Sequence, residues 1–352
     1  MERRDFLRAG AGLGIAGLAG CTGMFETQSA LSRQFTTVED REEKVYYPTH
    51  EEGMAMLGMG TSGRYRAGLM YSIPHAFWTI TGTNLDLNQV GQNVTAHVMA
   101  TIWDEETGTV LPTANVSGTF YTDGEETDSR SLWTMISQNM GYHFGDNVEL
   151  GGDGSYTAEL SVGAMQTRRM GDLRGAFEDG TTVEVTFEHS RDKLSELPYE
   201  QLPDKQGDAG ALDPMGMDMP LAQVPKLDDL PEMLATSASG DADFAVFRPD
   251  ENPHFVGDDR TYLAVSPRTP YNRYPLPFMS LSATLRRGDS TVFDDVLLPA
   301  VDPELGYHYG AGVDSISSGD SLTLAVDAPP QISRHEGYET AFVQMPEMTM
   351  TV

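Results

Sequence analysis

Val94-Thr95-Ala96-His97-Val98-Met99-Ala100-Thr101-Ile102-Trp103 alternates with a period of two and is rich in β-branched and aromatic residues. This is the pattern of a strand with one face against a core. Asp104-Glu105-Glu106-Thr107-Gly108 follows as a hairpin turn. Val116 to Thr122, Tyr156 to Val162 and Thr182 to Glu188 repeat the pattern between Gly, Asp and Asn punctuation. Nothing comparable to a long amphipathic helix interrupts them, so an all-β sandwich is predicted over about residues 46–190. From Arg191 to about Gly240 the prolines at 198, 203, 214, 220, 225 and 231 exclude a continuous ladder, because proline has no N–H to donate. This acidic, Pro- and Met-rich stretch (191–240) reads as an inter-domain linker laid along a surface. Tyr262 to Val265, Phe278 to Leu285, Thr291 to Leu298, Ser321 to Val326 and Thr340 to Val343 are again short alternating runs, and predict a second sandwich over 241–352. The expected fold is all-β, two sandwiches in tandem.

The 352 residues carry 53 acidic and 23 basic side chains, a formal charge of −30. Only Lys44, Lys193, Lys205 and Lys226 are lysine. Nucleic-acid binding is excluded, since it needs clustered Lys and Arg to displace counterions. Broad adsorption to an acidic lipid surface is disfavoured for the same reason. With 39% apolar residues the chain still builds packed cores. Abundant carboxylates with almost no lysine suit a salt-adapted surface of halophilic type. The single cysteine, Cys21, excludes a disulfide framework and a thiolate metal cluster.

The N-terminus reads as an address. Arg3-Arg4-Asp5-Phe6-Leu7-Arg8 is a twin-arginine export signal, and Ala9 to Ala19 is an apolar run too short to span a bilayer. Leu18-Ala19-Gly20-Cys21 is the pattern of a lipoprotein signal peptide (1–20) cut before a cysteine that then carries lipid. Cleavage removes three Arg, one Asp and one Glu, leaving a charge of −31. Residues 21–45 read as a tether, and the expected location is the outer face of the cytoplasmic membrane, with the protein lipid-anchored through Cys21.

Gly141-Tyr142-His143-Phe144-Gly145-Asp146-Asn147-Val148 recurs as Gly306-Tyr307-His308-Tyr309-Gly310-Ala311-Gly312-Val313, an offset of 165 residues. An alternating strand follows each copy, so internal duplication explains the pair. The motif reads as a glycine-flanked loop presenting one imidazole over aromatic neighbours. The alternative is a structural histidine hydrogen-bonded to backbone, and both stay open at this level.

With its flanks, Leu132-Trp133-Thr134-Met135-Ile136-Ser137-Gln138-Asn139-Met140-Gly141-Tyr142-His143-Phe144-Gly145-Asp146-Asn147-Val148 resembles the Met-containing segment and His-Tyr-Gly-Ala-Asn loop of periplasmic iron-transport proteins. These are immunoglobulin-like copper- and iron-binding dimers that serve a membrane iron permease. The resemblance implies His143 and His308 as loop ligands and Met135 as a thioether ligand. The family's late Arg-His segment resembles Pro329-Pro330-Gln331-Ile332-Ser333-Arg334-His335-Glu336, which gives His335 a ligand role. The matching region of the first half, Gln166-Thr167-Arg168-Arg169-Met170, has no histidine, and Pro299 or Ala300 stands where Met135 would repeat. The family's early His-x-Glu strand is missing from both halves, and Pro74-His75-Ala76-Phe77 is the nearest substitute.

Because the family's sites form between subunits, the resemblance implies a built-in pseudo-dimer. One composite site would gather Met135, His143 and His75 with His335. The opposite site would keep His308 but face Arg168 or Arg169, so one metal per chain is expected. Imidazole and thioether suit copper, the thioether favouring Cu(I), while ferric iron would prefer carboxylates such as Glu304 or Glu336. Met54, Met56 and Met59, then Met215, Met217 and Met219, then Met345, Met348 and Met350 form tracts that read either as soft-metal ligands or as packing. His50, His189 and His254 read as surface or turn residues, and His97 as packed in its strand. No Gly-x-Ser-x-Gly, phosphate-cradling loop, His-Glu-x-x-His or Cys-x-x-Cys occurs, so an enzyme is not expected. The favoured reading is a surface lipoprotein that binds iron or copper beside a membrane permease. The alternatives are a metal-free structural or adhesive sandwich and a copper-storage or delivery protein using its methionines.

Overall fold

The computed structural model describes residues 37–38, 43–112 and 115–352. The signal peptide, Cys21 and most of the tether lie outside the described residues. Strands hold 51% of the structure and helices 4%, so the fold is all-β.

The first half carries β1 (His50–Glu52), β2 (Ala55–Ser62), β3 (Tyr65–Ser72), β4 (Phe77–Thr81), β5 (Asn84–Asn88), β6 (Ala96–Asp104) and β7 (Val116–Thr122). It continues with β8 (Glu125–Ser131), β9 (Trp133–Ser137), β10 (Gly141–Val148), β11 (Gly154–Val162), β12 (Arg168–Arg169) and β13 (Thr181–His189). A short helix α1 (Arg191–Ser195) and β14 (Tyr199–Gln201) follow. The rest is β15 (Glu232–Ser239), β16 (Ala242–Arg248), β17 (Thr261–Arg268), β18 (Ser280–Arg287) and β19 (Ser290–Asp302). The chain closes with β20 (Gly306–Val313), β21 (Ser321–Ala328), β22 (Ser333–Arg334) and β23 (Met348–Thr351).

An eight-stranded sheet in the order β2-β3-β6-β10-β9-β22-β4-β5 packs over a four-stranded sheet, β13-β11-β7-β8. The outer layer shows the alternation that its sequence predicts: along β13 every second residue from Val183 to His189 is buried and those between are exposed. By contrast β6 is buried at every position. Its outer face is covered too, because a Cβ at Gly68 of neighbouring β3 would meet Met219 Sδ of the linker at 2.9 Å and the Trp103 ring at 3.3 Å.

The second half repeats the plan in one continuous sheet, β15-β16-β17-β20-β19-β18-β21-β23. Strand β19 does the work that β8 and β9 share: its start pairs with β18 and its end with β20. The offset of 165 residues is kept in the registers. Phe144 pairs with Ala100 as Tyr309 pairs with Val265, and His143 pairs with Met135 as His308 pairs with Ala300.

The halves exchange strands. β22 lies parallel to β9, with Ser333 opposite Met135, while β12 lies parallel to β19, with Arg168 opposite Ala300. Each insert carries an arginine whose guanidinium donates to loop carbonyls: Arg334 to Ala341, Pro330 and Phe342, and Arg169 to Met165 and Phe177. Arg334 is wholly buried, which lowers it to about 9.

Three expectations change. Gly141–Val148 and Gly306–Val313 are strands, not loops. The region of Thr340 to Val343 is a turn, with Phe342 in the left-handed region (φ 58) and its carbonyl accepting from Arg334. Within the stretch read as linker, Glu232–Ser239 is strand β15, which starts immediately after the last proline, Pro231. Elsewhere this stretch runs along the sheets: β14 pairs with β1, the Leu212 N–H donates to Gln138 Oε1 (2.8 Å) and the Val224 N–H to the Arg273 carbonyl (3.0 Å). No helix among the described residues is long and apolar enough to cross a membrane.

Candidate metal centre

Strand alternation sets the site. His143 and Met135 are direct cross-strand partners, as are His97 and Asn147. His143, Gly145 and Asn147 are two residues apart along β10, so they share one face with Met135 and His97. Ser333 lies beside Met135, and His335, two residues on, is held by its N–H to the Ile136 carbonyl (3.1 Å). His75 reaches in from the turn before β4, its Nε2 3.0 Å from His335 Nδ1. Ring centroids separate His75 from His97 by 4.2 Å, His97 from His335 by 5.6 Å and His143 from His335 by 5.4 Å. Nitrogens of His75, His97 and His335 lie within 4.8 Å of one another, a spacing that one metal ion bridges.

Second partners fix the tautomers. His143 Nδ1 donates to the Gly141 carbonyl (3.0 Å). Gly141 has φ 68, and this left-handed start to β10 explains the glycine of the repeated motif. Asn147 donates its Nδ2 to the His75 carbonyl (2.9 Å), which turns Oδ1 toward His97 Nδ1 (3.2 Å) and makes that nitrogen a donor. His75 Nδ1 faces the Ile73 carbonyl (3.0 Å) and Glu52 Oε2 (3.2 Å). The Nε2 atoms of His97, His143 and His335 are then buried with no hydrogen-bond partner among the described residues. Such atoms are costly unless a ligand satisfies them. Gly145 makes room: a Cβ there would stand 3.0 Å from Met135 Sδ and 3.2 Å from His97 Nε2, so a soft sulfur and an imidazole converge on the same gap.

Electrostatics keep the lone pairs available. Burial drives His97 and His335 well below the usual imidazole range, and neighbouring histidines push the same way. Burial takes His143 down to about 4. His75 is the exception, because Glu52 outweighs burial and raises it. Burial would likewise push the Glu52 carboxyl up, but hydrogen bonds to His50 and His75 hold it well below the carboxylate range.

The second half presents the same frame with other side chains. His308 Nδ1 meets the Gly306 carbonyl (3.0 Å), and Gly306 has φ 70. Tyr262 stands where the first half has His97, Ala300 where it has Met135 and Met170 where it has His335. The Met170 N–H donates to the Val301 carbonyl (2.9 Å) just as His335 donates to Ile136. The Tyr262 hydroxyl lies 3.3 Å from His308 Nε2 and satisfies it. A Cβ at Gly310 would meet the Tyr262 ring at 2.3 Å, so the gap that Gly145 leaves open is filled at Gly310. The expected arginine facing His308 is absent: the Arg168 guanidinium stacks over Phe255 (4.8 Å) and Arg169 turns to carbonyls, because each is drawn to its own acceptor surface.

Residues 228–351 match a domain family described only as a domain of unknown function (DUF7350). No curated protein matches the chain. Among solved structures, FetP of uropathogenic Escherichia coli strain F11, as isolated, aligns with 39% of this chain and 96% of its own at 16% identity, with a TM-score of 0.31. A copper-bound variant of that protein aligns with 39% and 92% at 17% identity and a TM-score of 0.30. Likeness at this level says nothing about this chain's ligand.

The structure thus brings Met135, His143, His75 and His335 together and leaves His308 in the other half. His97, read as a packed strand residue, lies within the cluster. The available signal was its polar side chain at an inward position of an otherwise apolar strand. Glu52 and His50 were also missed. His189, read as a surface or turn residue, is buried against Tyr71 and Tyr156, since the end of β13 tucks under the sandwich. Most of the methionine tracts are spent on packing: Met219 and Met348 are buried, and Met54, Met59, Met217, Met345 and Met350 pack against the core.

Proposed function

We infer that this chain binds one transition-metal ion among His75, His97, His143, His335 and Met135. The observation that carries this reading is that nitrogens of His75, His97 and His335 lie within 4.8 Å of one another, with the His143 ring 5.4 Å from that of His335 and the Met135 thioether at the gap beside His97. Imidazole nitrogens and one thioether sulfur form a soft-to-borderline set, which favours copper over ferric iron. Bound metal would satisfy the orphaned nitrogens and draw β22 against the first-half sheet. In this reading the protein is a carrier and not an enzyme, exported by the twin-arginine route, lipid-anchored at Cys21 and serving a membrane permease in copper or iron uptake. The signal pattern and the family resemblance support that wider role.

Titration of the full chain with Cu(I) against a chromophoric chelator tests the site. One equivalent should bind, and His143→Ala or His97→Ala should weaken it by about 100-fold or more, beyond the 10–100-fold typical of losing a supporting partner. Equal affinity in wild type and both variants would overturn the reading.

A further inference from the structure

His335 stands just past a strand of only 2 residues, so β22 by itself gives it little purchase. The turn that follows, residues 336–340, is held by a distant part of the chain, residues 44–49 ahead of β1. Tyr46 donates its N–H to the Gly337 carbonyl (3.2 Å) and its hydroxyl to Glu339 Oε1, and Glu339 Oε2 accepts from the Gly337 N–H (2.8 Å). Thr340 Oγ1 donates to the Lys44 carbonyl (3.3 Å). The Glu336 carboxylate accepts from the Thr49 N–H (3.1 Å) and hydroxyl (2.7 Å) on one oxygen and from the Val38 N–H (3.1 Å) on the other. Gln138, between β9 and β10, donates its Nε2 to the Tyr46 carbonyl (2.7 Å) and the Gly337 carbonyl (3.3 Å), which joins both pieces to the first-half sheet. Gly337 has φ 92, and a Cβ there would stand 2.6 Å from the Tyr46 carbonyl, so the two backbones touch. Val45, Tyr46 and Glu339 are buried. A buried carboxyl group is costly without its hydrogen bonds, so the turn and the segment part together or not at all.

We propose that residues 44–49 are a latch on His335: they position this ligand from outside its own strand, and their release frees the 336–340 turn and lets the ion leave. Tyr46, Glu336 and Glu339 act through His335 and are positioning residues. The latch begins where the stretch read as a tether ends, so docking or tension at the tether is felt at the metal site. The proposal deepens the metal-binding reading, on which its copper consequence rests, while the hold on His335 is measurable without metal.

Amide hydrogen exchange on the metal-free full chain tests the hold. In Tyr46→Phe and in Glu336→Ala the His335 amide should exchange about tenfold faster, the size of one lost hydrogen bond to a charged acceptor, while amides of β10 keep their wild-type rates. The two variants act at different points of the latch, so a folding defect in one leaves the other to decide. An unchanged His335 amide in both, or a rise shared equally by β10, overturns the latch. With Cu(I) bound, both variants should release the ion to a chelator about tenfold faster than wild type. In a His335→Ala background, adding Tyr46→Phe should change release no further, because two residues that act as one are not additive. A full further effect there places the action of Tyr46 elsewhere and overturns the latch. Tyr262→Phe, of comparable cost in stability, should leave the His335 amide and the release rate unchanged. Failure of the metal-binding reading would show separately, as a Cu(I) titration indifferent to His97→Ala/His143→Ala whatever the exchange rates do.

Discussion

His143 and His308 occupy the same place in two copies of one framework. Each follows a left-handed glycine and gives its Nδ1 to that glycine's carbonyl. They differ in what meets Nε2. At His308 a tyrosine hydroxyl closes the valence from within the chain, while at His143 none of the described residues does. The repeated motif therefore encodes a way of holding an imidazole. Whether that imidazole is structural or ligating is decided by three other positions: His97 or Tyr262, Met135 or Ala300, His335 or Met170.

The largest test of this contrast removes the repeated histidine in each copy. His143→Ala should cost about 100-fold or more in Cu(I) affinity, and His308→Ala should leave affinity unchanged while lowering stability, read by chelator competition and denaturant melts. The converse experiment installs Tyr262→His, Ala300→Met and Met170→His together. Copper stoichiometry measured by elemental analysis should rise from one to two, and a value that stays at one would break the equivalence of the two frames.

Gly145→Ala and Gly310→Ala probe the gap. Both add a methyl into occupied space and should destabilise by about 1–3 kcal/mol. Gly310→Ala should cost more, because its Cβ meets a ring at 2.3 Å, whereas only Gly145→Ala should also lower copper affinity.

Acid acts more gently. Unfolded imidazoles titrate near about 6.5, while His97, His143 and His335 lie below that value in the folded state. As pH falls from about 6.5 toward about 4 the unfolded chain binds more protons than the folded one, so stability declines across that window. Thermal melts of metal-free protein should show the decline, and copper should enlarge it, since protons compete with the metal. Tyr262→Phe deletes the hydroxyl that satisfies His308 and should cost a comparable amount, about 1–3 kcal/mol, in a denaturant melt without touching copper affinity.

Much of this was legible in the chain. Alternation located β7, β11, β13 and β21, because each has one face on a core and the other more open to solvent. It said less about β6, where the linker's Met219 covers the outer face, so a strand with polar positions became buried throughout. Met135 and His143 were linked through the family resemblance, and in the structure they meet because a tight turn folds β9 back on β10. His97 could not, since its place depends on β6 lying against the far side of β10, a pairing that no local spacing encodes. His335 was reachable only through resemblance: it enters the site by a parallel pairing between segments far apart in sequence. Phe342 shows the reverse failure, an apolar residue in an alternating run that serves a turn because Arg334 requires its carbonyl.

Strand β22 reaches the first-half sheet from near the end of the described chain, between β9 and β4. A ribosome makes the other four cluster residues long before His335, and domains tend to fold as they emerge. The first-half sheet must therefore wait with an open slot, and a chain cut short ahead of β22 has a floor of imidazoles but no closing ligand. Under the proposed metal site, a chain cut ahead of β22 lacks the His335 nitrogen and should hold the ion more weakly than the full chain.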